Sequence, residues 1–398
     1  MKTNKTKTQK RRKGRIKYIL AAAAMLFLLL PDALVNSMEI TTRAFVAAIG
    51  IDTAEGGGYE ATAQLILPQG SHDKPQAQDT VSAIGKTVKT AVDGISSRTG
   101  KTANLAHCKL LFLGKSVLEK GPMSAVNFFM RSSDVDNGMM IAAAESAKDT
   151  VEKLSQLEKL TALSLPDFFS QSRGGGMTPV ATLKTFTEGY YAGTGDLTLP
   201  LIEMRDKPEQ GDEEGESGEE SPQAELSENL KTAVIKNGRL LTVVGEDESR
   251  ALLWLDKRVS KGTLLLEGFD GAAKNLAFDI KSKRVRLRAA FKKGSPVMNV
   301  GLRLKLSLDE TNEESYTNLS FNEKKKLLKN IETAIQEKIN GEIQALKNQC
   351  ESGGFDIMRI NETFYRFQTR RHREYAAAGK DLVRDCRIEV KITAETKI

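Results

Sequence analysis

Residues 206–228, DKPEQGDEEGESGEESPQAELSE, hold ten acidic side chains, one lysine and almost nothing apolar. A run of that kind has no apolar surface to bury against the entropy of ordering its backbone, so it reads as a solvated linker or long loop. The rival reading, an acidic tail for metal or basic partners, is the weaker one because solvation alone accounts for the composition. The run leaves a long stretch on either side, each large enough for a core of its own in a chain of 398 residues. We therefore expect a basic and apolar leader over 1–38 and a mixed α/β domain over 39–205. The linker at 206–228 and an α+β domain over 229–398 follow.

The leader has its own logic. Residues 1–17 carry nine cations and no acid, and removing those nine from the 59 Lys and Arg leaves 50 against 52 acids. The high isoelectric point thus belongs to the first seventeen residues and gives no support to a nucleic-acid-binding domain. The apolar run Tyr18–Leu30 is 13 residues long and is interrupted by Pro31 and Asp32. About 20 apolar residues span a bilayer, so this run matches the core of a signal peptide, with Val35 and Ser37 before a possible cut. A retained, slightly short anchor that also uses Ala33–Val35 is the second reading. Either places the body outside the cytoplasm, with the cations left inside.

In the first domain, RAFVAAIGID (43–52) and YEATAQLILP (59–68) read as strands, and HCKLLFLG (107–114) and NGMMIAAAES (137–146) as buried ones. Helical spacing from Val81 through Ile84, Val88, Val92 and Ile95 predicts a helix there, and Pro122 opens another. Residues 147–204 look more helical, with a break at Gly174–Gly176, and are a candidate helical subdomain. Beyond the linker, Asn237-Gly238 between two apolar runs marks a hairpin. A short helix carries the only tryptophan, Trp254, and LAFDIKS, RVRLRAAF and NVGLRLKLSL alternate as three half-buried strands. Ser320 and Glu323 form a capping-box pattern ahead of a long helix with the stripe Leu327, Ile331, Ile335, Ile339, Ile343 and Leu346. CRIEVKITAE (386–395) is a last strand. The expected fold is mixed α/β followed by an antiparallel sheet packed by the long helix.

Chemistry is hard to find. Gly114-Lys115-Ser116 looks like the end of a phosphate-binding loop, but position 109 is lysine where that motif needs glycine. Gly56–Gly58 and Gly174–Gly176 lack nucleotide-binding spacing and read as turns. His107 and Cys108 are neighbours whose side chains point apart on a strand, so they do not form a nucleophile pair. His72 and His372 sit in polar, loop-like surroundings. Cys108, Cys350 and Cys386 have no metal-site spacing, and Cys350 with Cys386 is an open candidate for a disulfide. QTRRHREY (368–375) is a basic patch suited to lipid phosphates or an acidic partner, or simply a solvated face. The sequence therefore nominates no catalytic, cofactor-binding, metal or lipidation residue, and the chain is expected not to be an enzyme.

The order of these elements resembles a known family. AFVAAIGID followed by YEATAQLILP, and above all ANLAHCKLLFLGKSVLEKGPMSAVNFFMRSSDVDNGMMIAAAESAKDTVE (103–152), resemble the Ger(x)C proteins, the C subunits of nutrient germinant receptors in endospore-forming bacteria. AVIKNGRLLTVVGEDESRALLWL, the long helix and FDIMRI (355–360) extend the resemblance over about residues 40–398. It implies a membrane-tethered, non-enzymatic receptor subunit on the outer face of the spore's inner membrane, working with a polytopic A subunit and a transporter-like B subunit. Members usually carry a lipid-bearing cysteine just after the apolar run, whereas no cysteine precedes Cys108 here, which leaves a retained anchor or partner proteins to hold the body. FDIMRINETFYRF also lacks the Gly-rich, tryptophan-containing form common after the long helix. An exported envelope or sporulation scaffold, and more remotely an exported hydrolase, are the alternative functions.

Overall fold

The computed structural model describes residues 43–66, 78–155, 181–193, 195–206, 224–226, 231–269, 275–311 and 320–397. The leader, His72 and Gly174–Gly176 lie outside these ranges. The compact body begins at Ala44. Its first half runs β1 (Arg43–Thr53), β2 (Tyr59–Ile66), β3 (Gln78–Gly85), α1 (Val88–Thr99), β4 (Thr102–Asn104), β5 (Leu110–Gly114), α2 (Lys115–Lys120), α3 (Met123–Arg131), β6 (Met140–Ala144) and α4 (Ala147–Ser155). After the undescribed stretch come β7 (Ala181–Thr182), α5 (Leu183–Ala192), β8 (Leu197–Leu201) and β9 (Met204–Asp206). The second half holds β10 (Ala224–Leu226), β11 (Lys231–Lys236), β12 (Arg239–Val244), α6 (Glu246–Leu255) and β13 (Gly262–Leu266). It ends with β14 (Leu276–Lys292), β15 (Ser295–Thr311), α7 (Phe321–Gly353), α8 (Ile360–Phe367), α9 (Thr369–Ala377), α10 (Leu382–Asp385) and β16 (Arg387–Lys397).

Ten of these strands form one sheet in the order β12-β11-β8-β6-β5-β1-β2-β3, with β4 beside β1 and β7 beside β6. The contacts β1–β5, β5–β6 and β6–β8 are parallel, and antiparallel neighbours extend both edges. Strands inside a parallel stack are covered on both faces, which is why β5 (LLFLG) and β6 (MIAAA) are buried at every position. Leu111, Leu113, Ile141 and Ile49 face one layer with Ile95, Phe129 and Phe186 from α1, α3 and α5. Leu110, Phe112, Met140 and Ala142 face the other, under Val151 and Leu154 of α4.

Three expectations change here. The helix predicted from Val81 starts only at Val88, because residues 78–85 pair along the whole of β2 and Thr87 then caps the helix with a reciprocal Thr90 box. Ile84, part of the apparent helical stripe, is 62% exposed. The stretch 147–204 supplies α4 and α5, yet β7 and β8 join the large sheet, so its described residues are not a helical unit apart. The Asn237-Gly238 hairpin forms, with both residues at positive φ (50° and 75°) as a tight two-residue turn requires. It belongs to the first sheet, however: β11 pairs with β8 from Lys231↔Leu201 to Ile235↔Leu197, so the sheet continues across the expected boundary at 229. Within the acidic run, β10 pairs with β9.

The second sheet, β13-β14-β15-β16, has four strands. The two strands read from LAFDIKS and RVRLRAAF are one 17-residue strand, β14, kept continuous by an irregularity between Ile280 and Ser282 that resets the alternation. It turns back at Lys293-Gly294 into the equally long β15. β16 lies parallel to β15, the one departure from an antiparallel sheet, and the long helical connection between the two strands permits it. The capping box Ser320–Glu323 starts α7 and Gly354 in the left-handed region ends it. Its stripe Ile331, Ile335, Ile339, Ile343, Leu346 and Cys350 lies on the sheet's inner face against Phe278, Met298, Leu302 and Leu304. Trp254 Nε1 donates to Glu342 Oε2 at 2.6 Å and fixes α6 to α7.

Candidate functional site

Open α/β sheets usually bind ligands beyond the carboxyl ends of their parallel strands. Here that place is filled by the protein. Asp52, at the end of β1, accepts from the Ala147 N–H (3.2 Å) and the Lys148 N–H (2.8 Å), capping α4. Burial raises its pKa, with the two backbone donors working the other way. Gly114 is glycine because a Cβ there would lie 1.7 Å from Asp52 Oδ1. Ser116 Oγ accepts from the Thr53 N–H at 3.1 Å, and Lys115 pairs with Glu145 at 2.8 Å. Gly114-Lys115-Ser116 is therefore a structural clasp, and its hydroxyl and ammonium are engaged. Gly56–Gly58 form the β1–β2 turn at positive φ.

The strand expected over 107–114 begins only at Leu110, so His107 is exposed in a turn ahead of it, its ring 5.7 Å from that of Phe45, and it is burial of Cys108, not strand alternation, that sets the two apart. Cys108, Cys350 and Cys386 are free thiols, each pushed up to about 12 by burial. Cys350 and Cys386 are not bonded to each other in this structure. QTRRHREY is mostly the helix α9, which buries no side chain, and His372 sits on that helix, not in a loop, edge-on to Tyr365.

A groove of about 550 Å³ lies where α5 and the turn after it meet the C-terminal end of α6 and the segment 357–367. The chain builds it by stitching two distant segments together. Asp196 Oδ2 accepts from the Asp356 N–H at 2.7 Å, and the Asp196 N–H returns to the Asp356 carbonyl at 3.4 Å. The Asp356 carboxylate, itself buried, takes the N–H groups of Ile360 (2.8 Å) and Asn361 (2.7 Å) and the Asn361 side-chain amide (2.9 Å), so it opens α8. Burial raises its pKa against the pull of those donors. Arg359 sits at φ 60°, the left-handed conformation that turns the chain into α8.

On the other wall, Asp256 ends α6. Its carboxylate takes the Arg258 N–H (2.8 Å) and clamps the guanidinium through Nε (3.1 Å) and Nη2 (2.7 Å). Burial pushes the Asp256 carboxyl up, but the Arg258 bonds and charge hold it below its ordinary value. Lys283, reaching from β14, donates to the carbonyls of Leu253 and Asp256 and so caps α6; burial lowers it to about 8. The floor is apolar, with Leu197, Leu255, Leu287 and Met358, and the rim carries Arg258, Arg359, Arg366, Glu188, Glu362 and the half-exposed Phe367. The buried Asp356 carboxylate behind the groove and the half-buried Asp256 carboxylate in its wall are each engaged by several donors, and the lining holds no His, Ser or Cys. The arrangement suits holding an extended protein segment, with apolar side chains on the floor and mixed charges along the edge.

None of these residues was nominated from sequence. Asp356 lies four and five residues ahead of Ile360 and Asn361, farther than the two or three residues of an ordinary N-cap, so no local pattern marked it. Among the described residues there is no group of three or more metal-ligating side chains, and no helix is long and apolar enough to cross a membrane.

The sequence family described as spore germination protein N-terminal domain matches residues 36–204, and the one described as spore germination B3/GerAC like, C-terminal, matches 231–398. Spore germination protein B3 of Bacillus subtilis (strain 168) is 20% identical over 322 residues, 79% of each chain. Spore germination protein KC of the same organism is 19% identical over 367 residues, 88% of each. The crystal structure of the GerBC protein superposes with a TM-score of 0.51 at 15% identity, covering 87% of this chain and 96% of that one.

Proposed function

Since the chain belongs to the Ger(x)C family of spore germination proteins, we propose that it is a non-enzymatic, membrane-associated subunit of a nutrient germinant receptor. The family match to both halves of the body, 36–204 and 231–398, is the observation that carries this reading. In it the protein works with the receptor's A and B subunits and binds no nucleic acid. It is held on the outer face of the spore's inner membrane by a retained N-terminal segment or by those partners. The engaged carboxylates of the groove support binding over catalysis, and the groove is our candidate for the contact with a partner subunit. The test is deletion of the gene followed by germination assays across a panel of nutrients. Loss of the response to at least one nutrient is expected, and an unchanged response to every nutrient overturns the role. Pull-down from solubilised spore membranes should recover the A and B subunits with the full chain.

A further inference from the structure

The outer face of the second sheet carries charge that the other described residues do not neutralise. The register sets Arg284 directly opposite Arg303, which neighbours Thr393; one step along, Arg286, Gly301 and Lys391 lie in a row across β14, β15 and β16. Like charges opposite each other on adjacent strands oppose pairing, so this arrangement works against the sheet unless something else is bound. Elsewhere on the same face cations are matched: Lys292 with Glu389 at 2.5 Å, Lys305 with Glu395 at 3.6 Å and Lys281 with Asp279 at 2.7 Å. Arg284, Arg286, Arg303 and Lys391 are exposed and have no ion pair among the described residues.

These four side chains surround a hollow of about 270 Å³ whose floor is Gly301 and whose wall includes Thr393. Glycine is not forced on this position: its φ is not positive, and a Cβ would meet nothing nearer than the Arg286 carbonyl at 3.8 Å. What the missing side chain does is keep the floor open. With strands about 4.8 Å apart and alternate residues about 7 Å apart, all four cations and the hydroxyl can converge on one oxyanion. Guanidinium forks match phosphate oxygens in geometry as well as charge.

We propose that this face of the sheet binds the phosphate of anionic phospholipid headgroups and seats the body flat against the membrane. A face built on strands 17 residues long is broad, and the hollow occupies only a small part of it. That shape gives a small diffusing anion little burial, whereas it presents many cations at once to a planar, negatively charged surface. The inference rests on the membrane-associated reading above and adds an orientation to it.

The experiment uses the full chain, with Asn299→Cys on the outer face bearing a fluorescent donor; the three native thiols are buried and leave the label selective. The chain is reconstituted in nanodiscs of phosphatidylcholine alone or of equimolar phosphatidylcholine and phosphatidylglycerol, each with a trace of acceptor lipid. Energy transfer on the anionic discs is expected to exceed that on neutral discs by about threefold or more, as for a cluster of cations drawn to a negative surface. The triple variant R284E/R286E/R303E should fall to the neutral value with its melting temperature kept, and R284K/R286K/R303K should retain most of the signal. Equal transfer on both discs, or an unaffected triple glutamate variant, overturns the orientation. Failure to associate with discs of either kind overturns the membrane reading itself. Loss of the signal on adding inorganic phosphate, with chloride at matched ionic strength as control, assigns the hollow to a free anion and overturns the headgroup. Displacement by polyglutamate but not by anionic vesicles assigns it to an acidic protein and does the same.

Discussion

The two sheets of this molecule solve the problem of their faces in opposite ways. In the ten-stranded sheet the central strands β5 and β6 are covered on both faces and buried at every position. The four-stranded sheet is covered on one side by α7, and β14 alternates Val285, Leu287 and Ala289 with Arg284, Arg286 and Arg288. A sheet enclosed on both faces contributes scaffold and presents little to a partner. A sheet enclosed on one face keeps a broad surface free, and here that surface is charged. The contrast places rigidity in the first half and outward presentation in the second.

The sharpest way to break the contrast is Gly114→Val. The added Cβ would occupy the Asp52 carboxylate, so the clasp joining β1, β5 and α4 must open, and we expect a loss of about 3 kcal/mol or more in chemical denaturation. The second test sets the two faces of the small sheet against each other. Ile339→Ala, beneath α7, should cost about 3 kcal/mol, whereas Arg288→Ala on the open face should change stability by less than about 0.5 kcal/mol. Comparable losses from both would mean that the outer face is covered.

Lys283 gives a smaller, pH-dependent effect at the seam. Its folded pKa, about 8, lies below the ordinary 10.5, so between those values the unfolded chain holds more protons than the folded one. Wild-type stability should therefore rise with pH across about 8–10.5 relative to Lys283→Met, by at most about 3 kcal/mol. Urea unfolding at pH 7, 9 and 10.5 measures it. A difference that stays flat shows that the ammonium is no worse off in the fold than in water.

What could be read from the chain followed the strength of the local signal. β5, β6, the Asn237-Gly238 turn and the α7 stripe were legible because periodicity or turn chemistry fixes each within a few residues. The strand at 78–85 was not, because Ile84 happens to fall at helical spacing while its real partner, Glu60, is supplied by a strand pairing distant in sequence. The β11–β12 hairpin was recognised, but its sheet was not, since nothing local tells Ile235 that it will face Leu197. The groove was invisible for the same reason. Asp196 and Asp356 are 160 residues apart, and their hydrogen bond exists only once both halves have packed. Family resemblance identified the clasp stretch 103–152 without explaining it; the contact between Asp52 and Gly114 supplies the reason.

β11 also has a bearing on how the chain comes apart. Ala233 and Ile235 point into the first core, and Val234 points into the second. A protease cut within 207–223 would leave a C-terminal fragment that still owns two strands of its neighbour's sheet. The two pieces would behave as a split protein, each withholding a part that the other cannot fold without, and they should elute together from a sizing column until denaturant separates them.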